Sequence, residues 1–545
     1  MKKWIACILG IFMLAGTAGF FSGCRGNNQE GIDDTKTQLY VFNYDGGIGT
    51  DWLYELVERF ENDYADYEGE NGKVGVQIFV DPNKTNGRNL VVSASDSEVF
   101  FGEFLRYFDL VAAGDVLDIT DVVQEVLAQD GVGMSDFKQQ SLTAFDGKYY
   151  ALPHYEVYSG VIYNKEIWEK YALYLSSDGE FVKKSSGVTL GVGPDGTPGT
   201  DDDGLPASWE DFFNLCNYMV NDTEVTPFAI SGQNVRDYAL YFLNSAFASY
   251  NGAEGVAANF TFDGDVEYVT EITENSASAL GYDFTVASED IDNSTGYRLS
   301  QQSGKFVALA ALAKLLENKD DYFYTPSLSN TVSQLDAEEY FIRSLADSAP
   351  IAMLIDGSWW ENEATDAFER LESENPKYTK ENSDYGFMPL PTVAKGTPEE
   401  NTVAVYDYIQ SYAFISSYID ESKIDLAKEF LKYCYRPENL RKFTEITGVA
   451  RGMEYKMEQT QLDNMTSYAQ SVWEIHETGD VVSVLSGNDI FMDNSASIES
   501  TLWSSRSYAS PWSAFYSGAM SAKDYFAEMN TSKSVWDSTY GGKYF

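Results

Sequence analysis

Residues 38–60 read QLYVFNYDGGIGTDWLYELVERF, and this stretch establishes the fold class. Its first five residues, 38–42, predict a β-strand, and a glycine-rich turn at 43–50 follows. A helix comes next, because apolar side chains recur at helical spacing at Trp52, Leu53, Leu56, Val57 and Phe60. Thr50 or Asp51 is expected to cap it. A second strand at 74–80 completes a strand–helix–strand unit, which is typical of a parallel α/β sheet.

The same alternation of strands and helices continues along the chain. Strands or extended segments are predicted at 98–101, on both sides of Pro153, and at 351–355, 385–391 and 412–416. Helices are predicted to end near Gly114 and to begin at Glu166, after the cap residue Ser208 and at Lys423. The chain has 545 residues, which is too long for one simple core, so two or more lobes are expected.

The N-terminal region predicts export. A basic start is followed by an apolar run at 4–21, as in a secretory signal peptide. Small residues then lead to Cys24, which resembles a bacterial lipobox apart from Phe21, where that pattern usually has leucine. We interpret 1–23 as a signal peptide, Cys24 as a lipidated first residue and 24–38 as a flexible tether. The alternative is an ordinary signal peptide, or an uncleaved anchor helix, with a chance cysteine.

Charge and composition limit the possible partners. The chain has 37 basic and 85 acidic residues, a formal net charge of −48. Such a surface repels nucleic acid and anionic lipid headgroups, so no nucleic-acid partner is expected and only the lipid anchor should meet the membrane. Aromatic residues make up 15% of the chain, with 38 tyrosines and 10 tryptophans. Aromatic faces commonly hold sugar rings, although they also fill the cores of many proteins.

The cysteines and histidines do not point to a disulfide, a metal site or an acid–base catalytic site. Cys216 and Cys434 lie in apolar, helical contexts and are predicted to be free buried thiols rather than a disulfide. His154 and His476 are the only histidines, so histidine-based metal or acid–base chemistry has little material.

An ordered set of motifs resembles a known family. The motifs are 38–60, 146–148 with 152–153 and 162–165, 205–212, 353–359, 386–391 and 425–431. In this order they resemble the extracellular solute-binding proteins of ABC importers, the carbohydrate-binding family that includes maltose-binding protein. The lipobox fits this resemblance, because such proteins are tethered by a lipid in bacteria that lack an outer membrane.

The resemblance implies an α/β, two-lobed, periplasmic-binding-protein-like (type II) fold with a hinge and an interlobe cleft. Lobe one is expected to hold 39–152 and about 403–450, and lobe two 153–402 and about 451–545. The chain is longer than compact members of the family, chiefly between 172 and 205 and between 250 and 345. Because these insertions could reshape the cleft, the identity of the ligand stays open.

Several residues are candidate ligand contacts. Ligands of open α/β sheets bind beyond the carboxyl ends of strands, which points to Tyr44 and Asp45, although an aspartate before glycine also simply forms a turn. The resemblance places a sugar-stacking side chain at Trp359 or Trp360, of which one is expected to line the cleft and the other to pack. Further contacts, with core packing as the alternative for each aromatic ring, are expected from Phe101, Glu103, Tyr155, Glu156, Trp503 and Arg506.

The stretch 193–204 is rich in glycine, proline and aspartate. Asp195, Asp201 and Asp203 could supply closely spaced oxygen ligands from a flexible loop, which suits a structural Ca²⁺. The spacing does not match the EF-hand loop, and a solvated acidic loop is the alternative. No cofactor is required by any other motif.

The leading hypothesis is a monomeric, lipid-anchored binding protein on the extracytoplasmic face of the bacterial cell membrane. It is expected to capture an oligosaccharide, to deliver it to the transmembrane subunits of an ABC permease and not to be an enzyme. One alternative is a secreted glycoside hydrolase, which needs two carboxylates roughly 5–10 Å apart across a cleft. Another is a glycan adhesin or sensor that does not transport.

Overall fold

The computed structural model describes residues 31–346, 348–400 and 402–545. The predicted signal peptide, the predicted lipid site Cys24 and part of the predicted tether therefore lie outside the described residues. Within the described ranges, no helix combines the length and the apolar character needed to cross a membrane.

Strands occur throughout the described part of the chain. In chain order they are β1 Thr37–Tyr44, β2 Val76–Asn83, β3 Val99–Gly102, β4 Leu152–Pro153, β5 Ser159–Asn164, β6 Tyr174–Leu175, β7 Phe181–Val182, β8 Thr226–Ala229, β9 Gly264–Glu274, β10 Tyr282–Ile291, β11 Ile351–Gly357, β12 Tyr385–Met388, β13 Ala404–Asp407, β14 Tyr412–Ile415 and β15 Asp480–Ser483.

Helices alternate with these strands. The first are α1 Asp51–Asp63, α2 Tyr107–Ala113, α3 Thr120–Leu127, α4 Asp136–Leu142, α5 Lys165–Tyr171 and α6 Trp209–Asp222. The middle of the chain holds α7 Val235–Thr261, α8 Ser303–Glu317, α9 Lys319–Tyr322, α10 Gln334–Arg343, α11 Trp360–Glu363 and α12 Thr365–Glu372. The last are α13 Ile424–Cys434, α14 Pro437–Thr447, α15 Gln459–Leu462, α16 Ser467–Thr478, α17 Asp489–Thr501, α18 Pro511–Tyr516, α19 Ala522–Met529 and α20 Lys533–Tyr540.

The first sheet has five strands in the order β2-β1-β3-β14-β4. β1 is parallel to β2 and β3, as the strand–helix–strand pattern predicted, whereas β14 is antiparallel to β3 and β4. The α1 helix packs on this sheet and buries the five apolar residues predicted from their spacing. Thr50 occupies its N-cap position without a capping hydrogen bond, and its hydroxyl instead donates to Asp45 Oδ1 at 2.7 Å.

The second sheet has four strands in the order β12-β5-β11-β8. Every residue of its central strand β11 is buried, and β11 is antiparallel to β5 and parallel to β8. The Ser208 side chain accepts a hydrogen bond from the Asp211 amide at 3.1 Å and so caps α6, as predicted. Cys216 on α6 and Cys434 on α13 are free and buried, which confirms the prediction of unpaired thiols.

The chain passes between the two sheets three times. It crosses from β4 to β5 through 154–158, returns from β12 to β14 through 389–411, and leaves again between α14 and α16 through 448–466. This is the two-lobed α/β architecture expected from the sequence. The lobe boundaries given above, at the level of single residues, stay a prediction.

The extra length predicted at 172–205 and 250–345 has its own structure. The first stretch contains the β6–β7 pair and the aspartate-rich loop. The second contains the long β9–β10 hairpin, which packs against α7 and α8. Both insertions belong to the lobe of the second sheet.

Candidate functional site

A cavity of about 220 Å³ lies between the two sheets. The first sheet and its loops contribute one wall, the chain crossings the second, and α7, α10 and α11 with their cap residues the third. The lining residues are Tyr44, Gly47, Glu103, Phe104, Tyr155, Val157, Asn234, Asp237, Tyr238, Tyr241, Gln334, Trp359, Glu363 and Ile409. Four of the residues predicted as ligand contacts are therefore brought together here: Tyr44, Glu103, Tyr155 and Trp359.

Trp359 is placed by the end of β11 and by glycines on both sides of the cleft. A Cβ atom at Gly357 would lie 2.1 Å from the Trp359 ring, so only glycine lets the indole fold back over the strand end. The ring meets Tyr241 edge to face, with centroids 5.5 Å apart, and its Nε1 donates to Glu363 Oε2 at 3.2 Å. From the other lobe, Gly47 approaches closely: a Cβ there would lie 3.5 Å from the Trp359 Cβ.

Trp360 points the opposite way. It is fully buried and packs against Phe341, Phe368, Tyr385 and Tyr468. Trp359 lines the cavity and Trp360 fills the core, but the pair lies at the start of α11 and not on the extended segment that the sequence reasoning assumed.

The acidic residues of the cavity have shifted proton affinities. Burial, and then the charges of Glu363 and Asp407, raise the pKa of Glu103 well above its ordinary value. Burial also raises the pKa of Asp237 and of Glu363. Burial and the neighbouring Glu103 carboxylate raise the pKa of Tyr44 to about 12. A carboxyl group that holds its proton both donates and accepts hydrogen bonds, as hydroxyl-rich ligands require.

The remaining predicted contacts from the first lobe and the crossings lie outside this lining. Phe101 is fully buried against Trp52 and His154, and the Asp45 carboxylate accepts the Thr50 hydroxyl. Glu156 is buried and bonded to Lys138, and also to His476 Nδ1 at 2.9 Å. Burial raises the pKa of Glu156, but these two partners outweigh burial and lower the pKa to about 2.

The two C-terminal candidates are also placed elsewhere. Trp503 is buried, donates from Nε1 to Asn244 Oδ1 at 2.7 Å and packs on Phe247. Arg506 is exposed. For all residues outside the lining, ligand contact in this conformation has no geometric support, and their binding role stays a prediction.

The start of α7 supplies cavity residues that the sequence reasoning missed. Asn234, Asp237, Tyr238 and Tyr241 all line the cavity. They are spaced at three and four residues, so they share one face of the helix. The signal was available in the sequence, as a polar and aromatic stripe at the start of an otherwise apolar helix.

The aspartate-rich loop is held by its own carboxylates. Asp195 Oδ1 accepts from the Thr197 amide at 2.7 Å, Asp203 Oδ2 from the Gly199 amide at 2.8 Å, and Asp202 Oδ2 from the Asp195 amide at 2.9 Å. With Asp201 and Glu474, this loop borders a second cavity, of about 600 Å³, within the lobe of the second sheet. That cavity touches none of the first sheet's strands, so the interlobe cavity is the candidate site. Calcium binding by the loop stays a prediction.

Comparison with known proteins agrees with this geometry. Residues 46–440 match the model of the family described as bacterial extracellular solute-binding protein. The diacetylchitobiose binding protein DasA of Streptomyces coelicolor is 24% identical over 245 residues, which span 43% of this chain and 47% of DasA. The chain thus matches about half the length of that relative.

Solved structures share the fold at low identity. A chitin oligosaccharide binding protein has a TM-score of 0.54 at 17% identity, with 92% of this chain and all of the other covered. The solute-binding protein RafE in complex with raffinose has a TM-score of 0.51 at 16% identity, over 91% and 99%. The cyclic alpha-maltosyl-1,6-maltose binding protein of Arthrobacter globiformis has a TM-score of 0.51 at 12% identity, over 93% and 99%.

The family match covers well over half of the chain, from the turn after β1 to α14. The family and these neighbours are binding proteins and not enzymes, in agreement with the expectation from the sequence. The chain belongs to the bacterial extracellular solute-binding protein family.

Proposed function

We propose that the protein is a lipid-anchored binding protein that captures an oligosaccharide outside the cell membrane and delivers it to an ABC importer. The observation that carries the proposal is the composition of the interlobe cavity. Aromatic rings and carboxyl groups alternate around it, and among the residues that the structure describes no lysine or arginine lines it. A neutral, hydroxyl-rich ligand fits such a lining better than an anion does.

The chemistry of the lining matches the two faces of a sugar. The C–H face of a pyranose packs on an aromatic ring, and we expect Trp359, which Tyr241 contacts edge to face, to be that ring. The hydroxyl groups at the rim require acceptors and donors, which Glu103, Asp237 and Asn234 supply. Hydrogen bonds between neutral groups contribute roughly 0.5–1.5 kcal/mol net each, so two or three of them together favour one ring orientation.

The names of the relatives support the same ligand class. DasA is a diacetylchitobiose binding protein, and the structural neighbours bind chitin oligosaccharide, raffinose or a cyclic maltosyl-maltose. These ligands differ in sugar and linkage, so they support an oligosaccharide without selecting one.

Calorimetry against a panel of neutral glycans tests the proposal. The panel includes chitin oligosaccharides, raffinose and maltosyl sugars. Each glycan is recovered afterwards, and mass spectrometry shows whether its mass has changed. We expect saturable binding of at least one glycan and its return intact. Binding of a peptide or a polyanion in place of any glycan, or consumption of the bound glycan, contradicts the proposal. A binding protein whose gene neighbourhood and pull-downs reveal no permease is an adhesin or sensor instead.

A further inference from the structure

Three acidic side chains converge beneath Trp359. They are Glu338 on α10, Asp356 near the end of β11 and Glu363 at the end of α11. One carboxylate oxygen from each lies within 4.8 Å of the other two. Oxygen atoms that share one Ca²⁺ at 2.3–2.6 Å are at most about 5 Å apart, so the three can contact a single ion.

The burial of Glu338 is separate evidence that this group of acids binds a cation. Its side chain is 0% exposed, and within the described residues the only group that hydrogen-bonds its carboxylate is the Glu363 carboxyl, which is itself an acid and donates only when it holds a proton. A buried carboxylate without donors is costly, because it has lost its water and gained nothing in return. Its open oxygens face the other two acids of the group.

The two neighbours are only partly satisfied. Asp356 Oδ1 accepts the Gly357 amide at 2.8 Å, and the Tyr238 hydroxyl also hydrogen-bonds this carboxylate. Glu363 accepts Trp359 Nε1 at 3.2 Å and Gln334 Nε2 at 3.4 Å, and it lines the interlobe cavity. Burial raises the pKa of all three acids, and the neighbouring carboxylates raise those of Glu338 and Asp356 further. The group therefore requires a positive charge, which either protons or a metal ion can supply.

We propose that a divalent cation of the Ca²⁺ type binds between Glu338, Asp356 and Glu363 at the floor of the interlobe cavity. A single shared proton neutralises one pair and leaves the third carboxylate facing it. A cation takes one carboxylate oxygen from each of the three acids. Hard oxygen ligands of this kind are those that Ca²⁺ prefers. Of the three acids, Glu363 lines the interlobe cavity, so water or ligand hydroxyls are expected to reach the ion from that side.

The cation also fixes the stacking platform. Glu363 bridges the proposed ion and Trp359 Nε1, so an occupied site holds the indole in its observed orientation. We expect chelation to weaken saccharide binding for this reason. This coupling rests on the proposed function, whereas the cation site itself does not.

The test uses the full protein without saccharide. Residual metal is removed with a chelator, and Asp195→Asn and Asp203→Asn are introduced to exclude the other candidate calcium loop. We expect the melting temperature to rise with the logarithm of free Ca²⁺, because the ion binds the folded state. Glu338→Gln is expected to lower the Ca²⁺ affinity at least tenfold. Glu361→Gln, which removes a buried acid of α11 that lies outside the group, is expected to keep this affinity.

A second readout protects the test against misfolding of the variants. Tb³⁺ bound at this site lies close to Trp359, so excitation of tryptophan is expected to produce terbium luminescence that Ca²⁺ abolishes and that Trp359→Phe diminishes. No calcium effect on melting together with no luminescence overturns the cation site, as does an unchanged calcium affinity in Glu338→Gln. Either result leaves the glycan panel, and with it the proposed function, untouched.

Discussion

At the scale of the residue, Trp359 and Trp360 are adjacent but differ in role: Trp359 lines the cavity, and Trp360 packs in the core. The sequence predicted that two adjacent rings face opposite ways, but not which one faces the cleft. That choice depends on the turn after β11 and on Gly357, whose missing side chain makes room for the Trp359 ring. Such a close approach involves ring atoms two residues away and is invisible in hydropathy or spacing.

The role of Trp359 as the stacking ring can be tested by removing its side chain. Trp359→Ala is expected to weaken binding of the best glycan by about 2 kcal/mol, roughly thirtyfold, because central aromatic anchors carry much of the binding energy. Calorimetry measures the affinity, and circular dichroism confirms that the variant is folded.

Trp360→Phe is the matched control. Phenylalanine keeps this core position filled, so stability is expected to fall while glycan affinity is kept. Equal affinity losses in both variants, or none in Trp359→Ala, contradict the assignment of the platform.

At the scale of the element, the crossing strand β13 carries a buried acid that makes stability depend on pH. Asp407 lies at its end, close to the Glu156–Lys138 pair. Burial, then the Glu156 charge, raise its pKa from 3.8 to about 7, against the opposing effect of Lys138. The folded state thus binds the proton more tightly than the unfolded chain does. The stability from this group is complete below pH about 4 and is lost as the pH rises through about 7.

Asp407→Asn tests this dependence. The variant is expected to lose that fall in the free energy of unfolding between pH 4 and 7, and to be more stable than the parent at pH 7.5 by on the order of 2 kcal/mol. Urea unfolding at a series of pH values measures it. Asp480→Asn, at an exposed position of the paired strand β15, is the control and is expected to follow the parent curve. A parent whose stability rises steadily from pH 4 to 7 while Asp407→Asn follows it counts against the prediction.

The sequence predicted individual helices and strands better than it predicted the contacts between them. The apolar spacing of α1 and the Ser208 cap of α6 were both readable, since they depend on neighbours within four residues. The start of α7 was missed as a binding face, because only the packing of α7 beside β11 and α10 shows that its polar and aromatic side chains face the cavity. Glu156 was predicted at the cleft but lies in a buried ion cluster with Lys138 and His476, partners that are distant in sequence.

At the scale of the whole molecule, the three crossings predict a hinge. The cavity of about 220 Å³ is smaller than the roughly 300–1,000 Å³ of typical ligand pockets, so we expect the lobes to separate before an oligosaccharide binds. Small-angle scattering is expected to show a smaller radius of gyration with saturating glycan than without it. For Trp359→Ala, about thirtyfold more glycan is expected to be needed for the same decrease in radius. An unchanged radius at proven saturation speaks against a closing clamp.

The proposed lipid anchor can be tested by replacing Cys24. Cys24→Ala is expected to release the protein into the medium or to stall its processing, because it removes the thiol proposed to carry the lipid. Cell fractionation and the mass of the mature N-terminus measure this. Cys216→Ala, which removes a buried thiol of α6, is the control and is expected to stay with the membrane. Equal retention of both variants, with an unmodified N-terminal mass, refutes the anchor.

The strand order of the first sheet has a consequence for how the chain is made. β14, at 412–415, pairs with β3 on one side and β4 on the other, although some 300 residues separate it from β3. Until those residues have been synthesised, both partner strands present unpaired edges, and the first lobe cannot complete its hydrogen bonding. Closing so long a loop delays folding, which favours a chain that stays unfolded during export. Chains truncated before residue 412 are accordingly expected to aggregate, not to yield a free-standing first lobe.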